Sequence, residues 1–451
     1  MKRVLAWGPD LRDMARFAAP IVLVNVGIQA MGVVDALMVG KLGGAAIASV
    51  ALGNLYFFNI SVLGLGLLLA LDPVIAQAVG AGDSDDVARS VQRGLVIAAI
   101  LSVVVTVALM PGESLLRAFN QPADVIPGTA VYTRRRALGV LPFFVFNVMR
   151  QTLQAMASVR AVVIAVVVAN IVNVVANWLL VFGNLGAPQL GVTGSGYATA
   201  ASTWVMAATL LLLAWPRLRS ALHPWRAETL HWTPIMRTLR LGLPIGVQWF
   251  FESFAFGLTA LLMGWMGTAS LAGHEIALNM AALTFMVPLG IAGAASAVVG
   301  RAIGRGDMPA ARRDAIAAII CGTGFMCISA VAFLAAPEWL ATRYTTEAAT
   351  VAVAVSLIPL AGMFQIFDGL QAVTGGVLRG TGDTRIPAIL HMIAFWGIGV
   401  PLGAWLGFRT PLRERGLWLG LVAGLAAAAL LQSWRVVLRL RGELRRVRVD
   451  H

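Results

Sequence analysis

The sequence predicts an all-α polytopic membrane protein with twelve transmembrane helices in two pseudo-symmetric lobes of six. Its 451 residues are 59% hydrophobic and 12% charged, and soluble domains carry about twice that share of charge. Apolar runs of about 20 residues, the length that crosses a bilayer, recur along the whole chain. A short motif appears once in each half, which indicates two copies of one unit.

The first apolar segment is predicted to remain in the protein as a membrane span. The residues before it are interrupted by Pro9, Asp10 and Arg12, unlike the apolar region of a cleavable signal. Prolines inside the second, fourth, eighth and tenth spans predict kinks, which neighbouring helices in a membrane bundle can accommodate. The predicted spans are 14–40, 46–79, 88–110, 128–156, 160–183, 191–215, 236–266, 271–303, 312–336, 349–378, 386–408 and 415–440.

An internal repeat relates the two halves. The motif "QAVGAGD" (77–83) matches "RAIGRGD" (301–307) at an offset of 224 residues, and at the same offset Pro20 meets Pro244. Six spans in each copy would insert both copies into the membrane in the same orientation. Such parallel repeats are related by an axis along the membrane normal, with a cleft between them.

A basic stretch between the halves predicts the topology. We expect lobes at 1–215 and 241–451, the second with a basic tail, joined by a linker at 216–240 that forms a helix on the inner leaflet. Of the 34 Lys and Arg residues, 25 fall on the side of the linker and both termini. Basic loops favour the cytoplasm, so both termini are expected there. The same bias explains the net charge of +13 without a nucleic-acid partner, although Arg134–Arg136 fall on the outer side.

Three acidic residues, Asp35, Glu252 and Asp368, lie well inside predicted spans. A charge at the centre of a bilayer costs at least ~2.5 kcal/mol on insertion scales, so such residues face partners or water and usually mark a functional site. An inert, packed carboxylate is the less favoured interpretation for each of them. Glu252 and Asp368 are expected to form an acidic site in the second lobe.

Polar residues of the first lobe share the depth of Asp35. Asn173 and Asn177 lie one turn apart on the fifth span, and Thr199 lies on the sixth. At 1.5 Å per residue, Asp35, Asn177 and Thr199 are each about 8–12 Å from the outer end of their helix. A carboxylate with amide and hydroxyl oxygens suits Na⁺, with Asp35 and Asn177 as metal ligands. Alternatively, the carboxylate could carry a proton. Packing between helices is the competing role for such Asn and Thr residues.

Several motifs resemble the multidrug and toxic compound extrusion (MATE) family over nearly the whole chain. They include "VVDALMVGKLGGAAIASVALGN", "NIVNVVANWLLVFGNLG", "FFESFAFGLTALLMGWMG" and "FDGLQAVTGGVLRGTGDTR", and the pattern is most similar to the NorM-like branch. The resemblance implies a multi-pass antiporter of the bacterial inner membrane. Such a protein would export bulky, mostly cationic and amphipathic drugs in exchange for Na⁺ or H⁺ by alternating access. We expect a monomer in the lipid bilayer that needs no cofactor beyond this ion.

The resemblance also assigns roles to individual positions. The cation- or proton-coupling residues that it implies are Asp35, Asn173, Asn177, Thr199, Glu252 and Asp368. Aromatic rings offer apolar and cation–π surface to such cargo, although packing in the core or against lipid is their commoner role. The candidate substrate-binding residues are Gln248, Phe285, Phe364 and Gln371.

Other functional classes fit less well. A lipid-linked saccharide flippase of related architecture would need basic residues for pyrophosphate, whereas the charges inside these spans are acidic and favour cationic cargo. An enzyme would need a catalytic cluster, and no nucleophile motif or metal-spaced His group is visible. A channel would need a selectivity-filter repeat. The two cysteines, Cys321 and Cys327, are too few for a disulfide framework.

Overall fold

The computed structural model describes residues 8–118 and 121–450, and every regular element in those ranges is helical. Eleven helical spans in this part of the chain are long and apolar enough to cross a membrane. The remaining predicted span, 128–156, is divided by a 3₁₀ turn into helices of 11 and 16 residues, each too short to be counted alone. The predicted all-α membrane fold is therefore confirmed.

The helices of the first half end at the loop that connects the two repeats. Short breaks divide two of its spans, so this half contains more helices than spans. In chain order the helices are α1 (Gly8–Gly40), α2 (Gly44–Leu68), α3 (Leu71–Gly80), α4 (Ser84–Leu109), α5 (Gly112–Ala118), α6 (Ile126–Arg136), α7 (Val140–Ala155), α8 (Arg160–Phe182) and α9 (Val192–Leu222).

The second half has longer uninterrupted helices. One of its spans, 385–409, contains a π-helical segment at Ile393–Gly399. The helices are α10 (Trp232–Met266), α11 (Thr268–Gly304), α12 (Met308–Ala335), α13 (Pro337–Thr342), α14 (Ala348–Gly380), α15 (Arg385–Met392), α16 (Val400–Arg409) and α17 (Glu414–Arg441).

Prolines account for the two broken spans. Pro73 is the third residue of α3, and Pro142 is the third residue of α7. A proline has no N–H to donate, and its ring clashes with the carbonyl four residues earlier. Those earlier residues, Leu69 and Leu138, lie in the two breaks. Pro288 and Pro359 lie inside α11 and α14, which remain continuous.

The two repeat motifs form the same turn. Gly82 and Gly306 have φ values of 70° and 75°, in the left-handed region that favours glycine. The aspartate that follows each glycine caps the next helix. The Asp83 side chain accepts from the N–H of Asp86 at 3.0 Å, and Asp307 accepts from Ala310 at 2.9 Å. The repeat is therefore visible in local backbone geometry as well as in sequence.

A related turn follows α7 but lacks glycine. The N–H of Ser158 donates to the carbonyl of Leu153 at 2.8 Å, as that of Asp383 donates to Leu378 at 3.0 Å after α14. Gly382 takes the left-handed position in the second turn with φ 78°, whereas Ala157 takes it in the first with φ 54°. An alanine in this conformation is strained because its Cβ crowds the backbone.

Two compact units divide the described chain. The N unit consists of Leu23–Gly246 and the residues from Arg448 onwards, and the C unit consists of the residues up to Val22 and Val247–Val447. The lobe boundaries at 1–215 and 241–451 remain predictions.

Each unit has its own apolar core. Phe144 is fully buried in the N unit, and Trp418 is fully buried in the C unit. Other large apolar side chains are exposed, including Leu212 at 76% and Ile328 at 72%. Exposed apolar side chains of this kind are expected on a membrane helix, because they contact lipid tails instead of water.

The region predicted as a linker helix has a different structure. Helix α9 continues to Leu222 and α10 begins at Trp232, so two long helices occupy most of 216–240. Between them lies only a short 3₁₀ turn, Ala227–Leu230. The side chain of Gln92 donates to the carbonyls of Ala221 and Pro224 and holds this connection against α4. The expectation of a separate surface helix is therefore wrong.

Asp450, the last described residue of the tail, forms ion pairs with two arginines of α4. The Asp450 carboxylate accepts from Arg89 and from Arg93, each at 2.6 Å, and Arg93 is buried. Burial alone raises the pKa of Asp450, but the two guanidinium groups outweigh it and hold the pKa below its usual value. The tail therefore neutralises positive charge at the start of α4.

The two kinds of turn should respond in opposite ways to substitution. Ala157→Gly should raise the apparent melting temperature in detergent, because it relieves a left-handed alanine. Gly82→Ala should lower it, since each left-handed alanine costs about 1 kcal/mol and open space around Gly82 leaves no other penalty. Thermal unfolding of both variants beside the wild type tests this, and shifts of the same sign would contradict it.

Candidate cation-coupling site

The carboxylate of Asp35 is the centre of a fully buried polar cluster in the N unit. Its Oδ1 accepts from the side-chain amides of Asn173 and Asn177, at 3.0 and 2.8 Å. Its Oδ2 accepts from the hydroxyls of Thr199 at 2.5 Å and Tyr132 at 3.3 Å. Four donors from three other helices therefore surround one charge. The structure brings together all four residues that the sequence predicted for this cluster, and Tyr132 is an addition.

Helical spacing and small residues place these donors. Asn173 and Asn177 are one turn apart on α8, so their side chains lie on the same face. Gly53 leaves room for the Tyr132 ring, because a Cβ there would lie 2.5 Å from a ring carbon. Gly196 lets α9 approach the Tyr132 carbonyl, which would be 2.8 Å from a Cβ at that position. The tyrosine thus occupies space that two glycines leave open.

The two asparagines retain unused hydrogen-bonding capacity. Each donates its amide N–H to Asp35, but the side-chain oxygens of Asn173 and Asn177 are buried without a hydrogen-bond partner. A buried acceptor left unpaired costs about 1–3 kcal/mol. Carboxylate, amide and hydroxyl oxygens are ligands for hard cations. The cluster therefore combines a carboxylate with two unpaired amide oxygens in one buried site.

Beyond Tyr132, the cluster continues to an arginine. The Tyr132 hydroxyl oxygen also lies 2.9 Å from the side-chain oxygen of Asn54, so its single proton can be donated either to Asn54 or to Asp35. Arg136 donates to the same Asn54 oxygen and also reaches the Tyr132 hydroxyl at 3.4 Å. Its guanidinium lies 3.9 Å from the centre of the Phe57 ring. Arg136, one member of the triplet Arg134–Arg136, therefore has a structural explanation.

A second polar cluster lies in the C unit. Glu252 Oε2 is 3.5 Å from Nε2 of His391, and the other ring nitrogen of His391 is 3.3 Å from the amide nitrogen of Gln371. His391 is buried and stacks on Phe395 with ring centres 4.6 Å apart. Asp368 is buried close enough to Glu252 for their charges to repel. A π-helical segment begins directly after this histidine's helix, and such segments frequently mark functional sites.

The candidate substrate residues lie in different environments. Gln248 and Gln371 are buried, and Phe285 is half-buried. Phe364 is only 2% exposed and packs against Phe256 and Trp418, with ring centres 6.0 and 5.7 Å apart. In this structure Phe364 is part of the apolar core of the C unit.

Conventional metal clusters are not found in the described ranges, 8–118 and 121–450. No three or more His, Cys, Asp or Glu side chains gather there in an arrangement that could hold a metal ion. Cys321 and Cys327 are both free thiols. A cation at Asp35 would therefore depend on amide and hydroxyl oxygens around a single carboxylate.

Comparison with known proteins identifies the family. The MatE family matches residues 20–179 and 244–405, most of both halves. The chain belongs to the MatE family. Its similarity extends to a probable multidrug resistance protein NorM of Mesorhizobium japonicum, 38% identical over 443 residues, or 95% of this chain and 94% of that protein. The multidrug resistance protein NorM of Burkholderia vietnamiensis is also 38% identical, over 441 residues with the same coverage.

Solved structures of MATE proteins share the fold. A eukaryotic MATE transporter, AtDTX14, superimposes with a TM-score of 0.88 at 22% identity, over 96% of this chain and 98% of that one. An outward-facing multidrug resistance MATE transporter superimposes with a TM-score of 0.84 at 20% identity, over 96% of each chain. MatE proteins are membrane transporters, not enzymes. The predicted family and fold are thereby confirmed.

The position of Phe364 in this MatE protein yields a prediction. Phe364→Ala should lower the apparent melting temperature strongly, since truncating a buried phenylalanine costs about 3–5 kcal/mol. Phe364→Leu fills more of the space and should recover most of that loss. Thermal unfolding and drug-binding isotherms would be measured for both. A stable Phe364→Ala variant with weakened drug binding would show instead that this ring contacts the substrate.

Proposed function

We propose that this protein exports amphipathic, mostly cationic compounds in exchange for Na⁺ or H⁺ by alternating access. The observation that carries the proposal is the buried Asp35 carboxylate with its four donors and two unpaired amide oxygens. A charged group inside an apolar helix is energetically costly, so its presence there indicates a functional role. The multidrug resistance names of the relatives support drug export as that function.

Either coupling ion fits the geometry. A half-turn of the Asn173 or Asn177 amide would direct its oxygen towards Asp35, where it could bind Na⁺ together with the carboxylate. The same oxygen could accept a hydrogen bond from a protonated Asp35. In both cases the negative charge is neutralised and the donor network around α1 must rearrange. If the hydrogen-bond network with a bound cation is more stable in one access state than in the other, cation binding would shift the transporter towards that state.

The C-unit cluster is proposed as a second acidic site. Glu252 and Asp368 place two ionisable carboxyl groups in an apolar region, and in their ionised form they would attract a cationic cargo or a coupling ion. We propose that Gln248, Phe285 and Gln371 contribute to the substrate surface and that Phe364 supports it from the core. His391 contacts both Glu252 and Gln371, so it can transmit a change of charge to this surface.

We propose the bacterial inner membrane as the location, with both termini cytoplasmic and the monomer as the working unit. The multi-pass helices, the bacterial relatives and the bias of 25 out of 34 basic residues to one side support this. The lipid-linked saccharide flippase is not supported, since the matched relatives are named for multidrug resistance. The acidic character of the buried charges also disfavours an anionic pyrophosphate cargo.

The Asp35 cluster should behave as one unit in transport. Asp35→Asn should nearly abolish ion-driven drug efflux from vesicles, because it removes the charge that binds the ion. Asn177→Ala should weaken the ion dependence while drug binding persists. The double variant should be little worse than Asp35→Asn alone, since residues of one network are not additive. Efflux under a Na⁺ gradient and a pH gradient, applied separately, measures this.

Asn170→Ala is the matched control for this experiment. Asn170 lies on the same helix, but its amide donates to the carbonyls of Gly27 and Val166 instead of to Asp35. It should lose stability and keep its ion dependence. Wild-type ion-driven efflux in Asp35→Asn would refute the proposed site.

The acids of the C unit should also be necessary. Glu252→Gln and Asp368→Asn, at normal expression, should each lose most ion-coupled efflux because each removes an ionisable carboxyl group from an apolar helix. Glu338→Gln, at an exposed acid in α13, is the control and should transport normally. Efflux rates at matched protein levels decide the question, and unchanged rates in both test variants would rule out a second acidic site.

A further inference from the structure

The three consecutive arginines at the end of α6 have different surroundings. Arg134 is exposed. Arg135 lies over the ring of Tyr197, with its guanidinium carbon 5.2 Å from the ring centre. Only Arg136 contacts the polar groups that adjoin Asp35. Three arginines that were simply solvated would have similar surroundings. The polar contacts of Arg136 therefore indicate a separate role for this residue.

Three contacts fix the Arg136 guanidinium. It donates to the side-chain oxygen of Asn54, reaches the Tyr132 hydroxyl at 3.4 Å, and stacks on Phe57 at 3.9 Å. The same Tyr132 hydroxyl lies 3.3 Å from Oδ2 of Asp35. One hydroxyl group therefore separates a fixed positive charge from the buried carboxylate.

We propose that Arg136 is the resident counter-charge of the Asp35 cation site and that it sets the cation concentration at which this site fills. The inference rests on the proposed function, because it requires that a cation binds at Asp35. Arg136 is a positioning residue in this scheme, since it acts through Tyr132 and Asn54 and does not itself bind the ion.

Two positive charges, Arg136 and the bound cation, compete for the Asp35 carboxylate. When Asp35 is empty, Arg136 stabilises the carboxylate. When Na⁺ or H⁺ neutralises the carboxylate, that stabilisation is lost. Arg136 therefore favours the cation-free site over the cation-bound site by the free energy of this interaction. Two unit charges roughly 7 Å apart at an effective dielectric constant of 20–40 interact strongly enough to change an affinity about tenfold or more.

The other groups around Asp35 do not supply this charge. Asn173 and Asn177 of α8 and Thr199 of α9 are neutral donors, and Tyr132 of α6 is the titratable group among the four contacts. Asn54 is the residue of α2 that contacts this cluster among the described hydrogen bonds, and it is neutral. Lys41, directly after α1, lies over the Phe182 ring instead, 5.7 Å from its centre. Arg136 is thus the cation that reaches this cluster through described contacts.

Charge removal at this position should strengthen ion binding. Purified Arg136→Gln should show ion-dependent drug release with a midpoint about tenfold lower in Na⁺, or about one unit higher in pH, than the wild type. Arg136→Lys keeps the charge and should stay close to the wild type. Arg134→Gln removes an equal charge from an exposed position and is the matched control, with an unchanged midpoint. Drug-binding isotherms across Na⁺ concentration and across pH provide the readout.

The outcomes separate this inference from the proposed function. If Asp35→Asn retains wild-type ion dependence, the cation site itself is refuted. If Asp35→Asn loses the dependence but Arg136→Gln leaves the midpoint unchanged or weakens ion binding, only the counter-charge role is refuted. A purely structural arginine could not tighten ion binding on removal. As a second test, Tyr132→Phe removes the linking hydroxyl and should shift the midpoint in the same direction, and a shift the other way would contradict the proposed link.

Discussion

The hydrogen bonds to the Asp35 carboxylate are the interaction on which the N unit depends. A lone carboxylate in an apolar helix has no water to solvate it, so the protein must supply every donor itself. Helices α6, α8 and α9 each contribute at least one. Their relative positions are therefore constrained by one charge, and a change in that charge acts on all of them together. This is the physical requirement for coupling ion binding to a movement of helices.

The two acidic sites solve the same electrostatic problem differently. In the N unit, neutral donors surround one carboxylate, and a guanidinium lies one hydroxyl away. In the C unit, Glu252 and Asp368 lie near each other beside the buried His391, whose charge depends on its protonation. The first arrangement surrounds a single carboxylate with neutral donors, whereas the second places three titratable groups close together. Two clusters of different composition would allow the proposed antiporter to respond differently to its cargo and to its coupling ion.

Much of the fold and part of the site could be predicted from the sequence. Hydrophobic runs, the repeated glycine–aspartate motif and the spacing of Asn173 and Asn177 are local patterns, and local patterns determine which face of a helix is polar. The buried acids were visible because a charge inside an apolar run is conspicuous. Depth along the predicted helices grouped Thr199 with Asp35, and the family motifs supported the same grouping.

The features of the site and the fold that the sequence did not predict depend on tertiary contacts. Tyr132 and Asn54 join the Asp35 cluster only because glycines let α2, α6 and α9 approach closely, and no spacing rule reveals that. The triplet Arg134–Arg136 was an exception to the charge bias of the predicted topology, and that exception was the available signal for Arg136. The linker helix was wrongly expected because tryptophans among arginines are typical of a surface helix, whereas here they lie at and near the ends of long spans.

The number of cations bound at equilibrium shows whether Asp35 holds the coupling ion. Proton uptake between alkaline and acid pH, and calorimetric titration with Na⁺ at alkaline pH, would be measured on purified wild type and on Asp35→Asn. The account predicts that the substitution eliminates one bound cation per protein while the variant keeps its fold by thermal unfolding. Equal cation binding by the two folded proteins would contradict it, because Asp35 would then be buried for a reason other than the coupling ion.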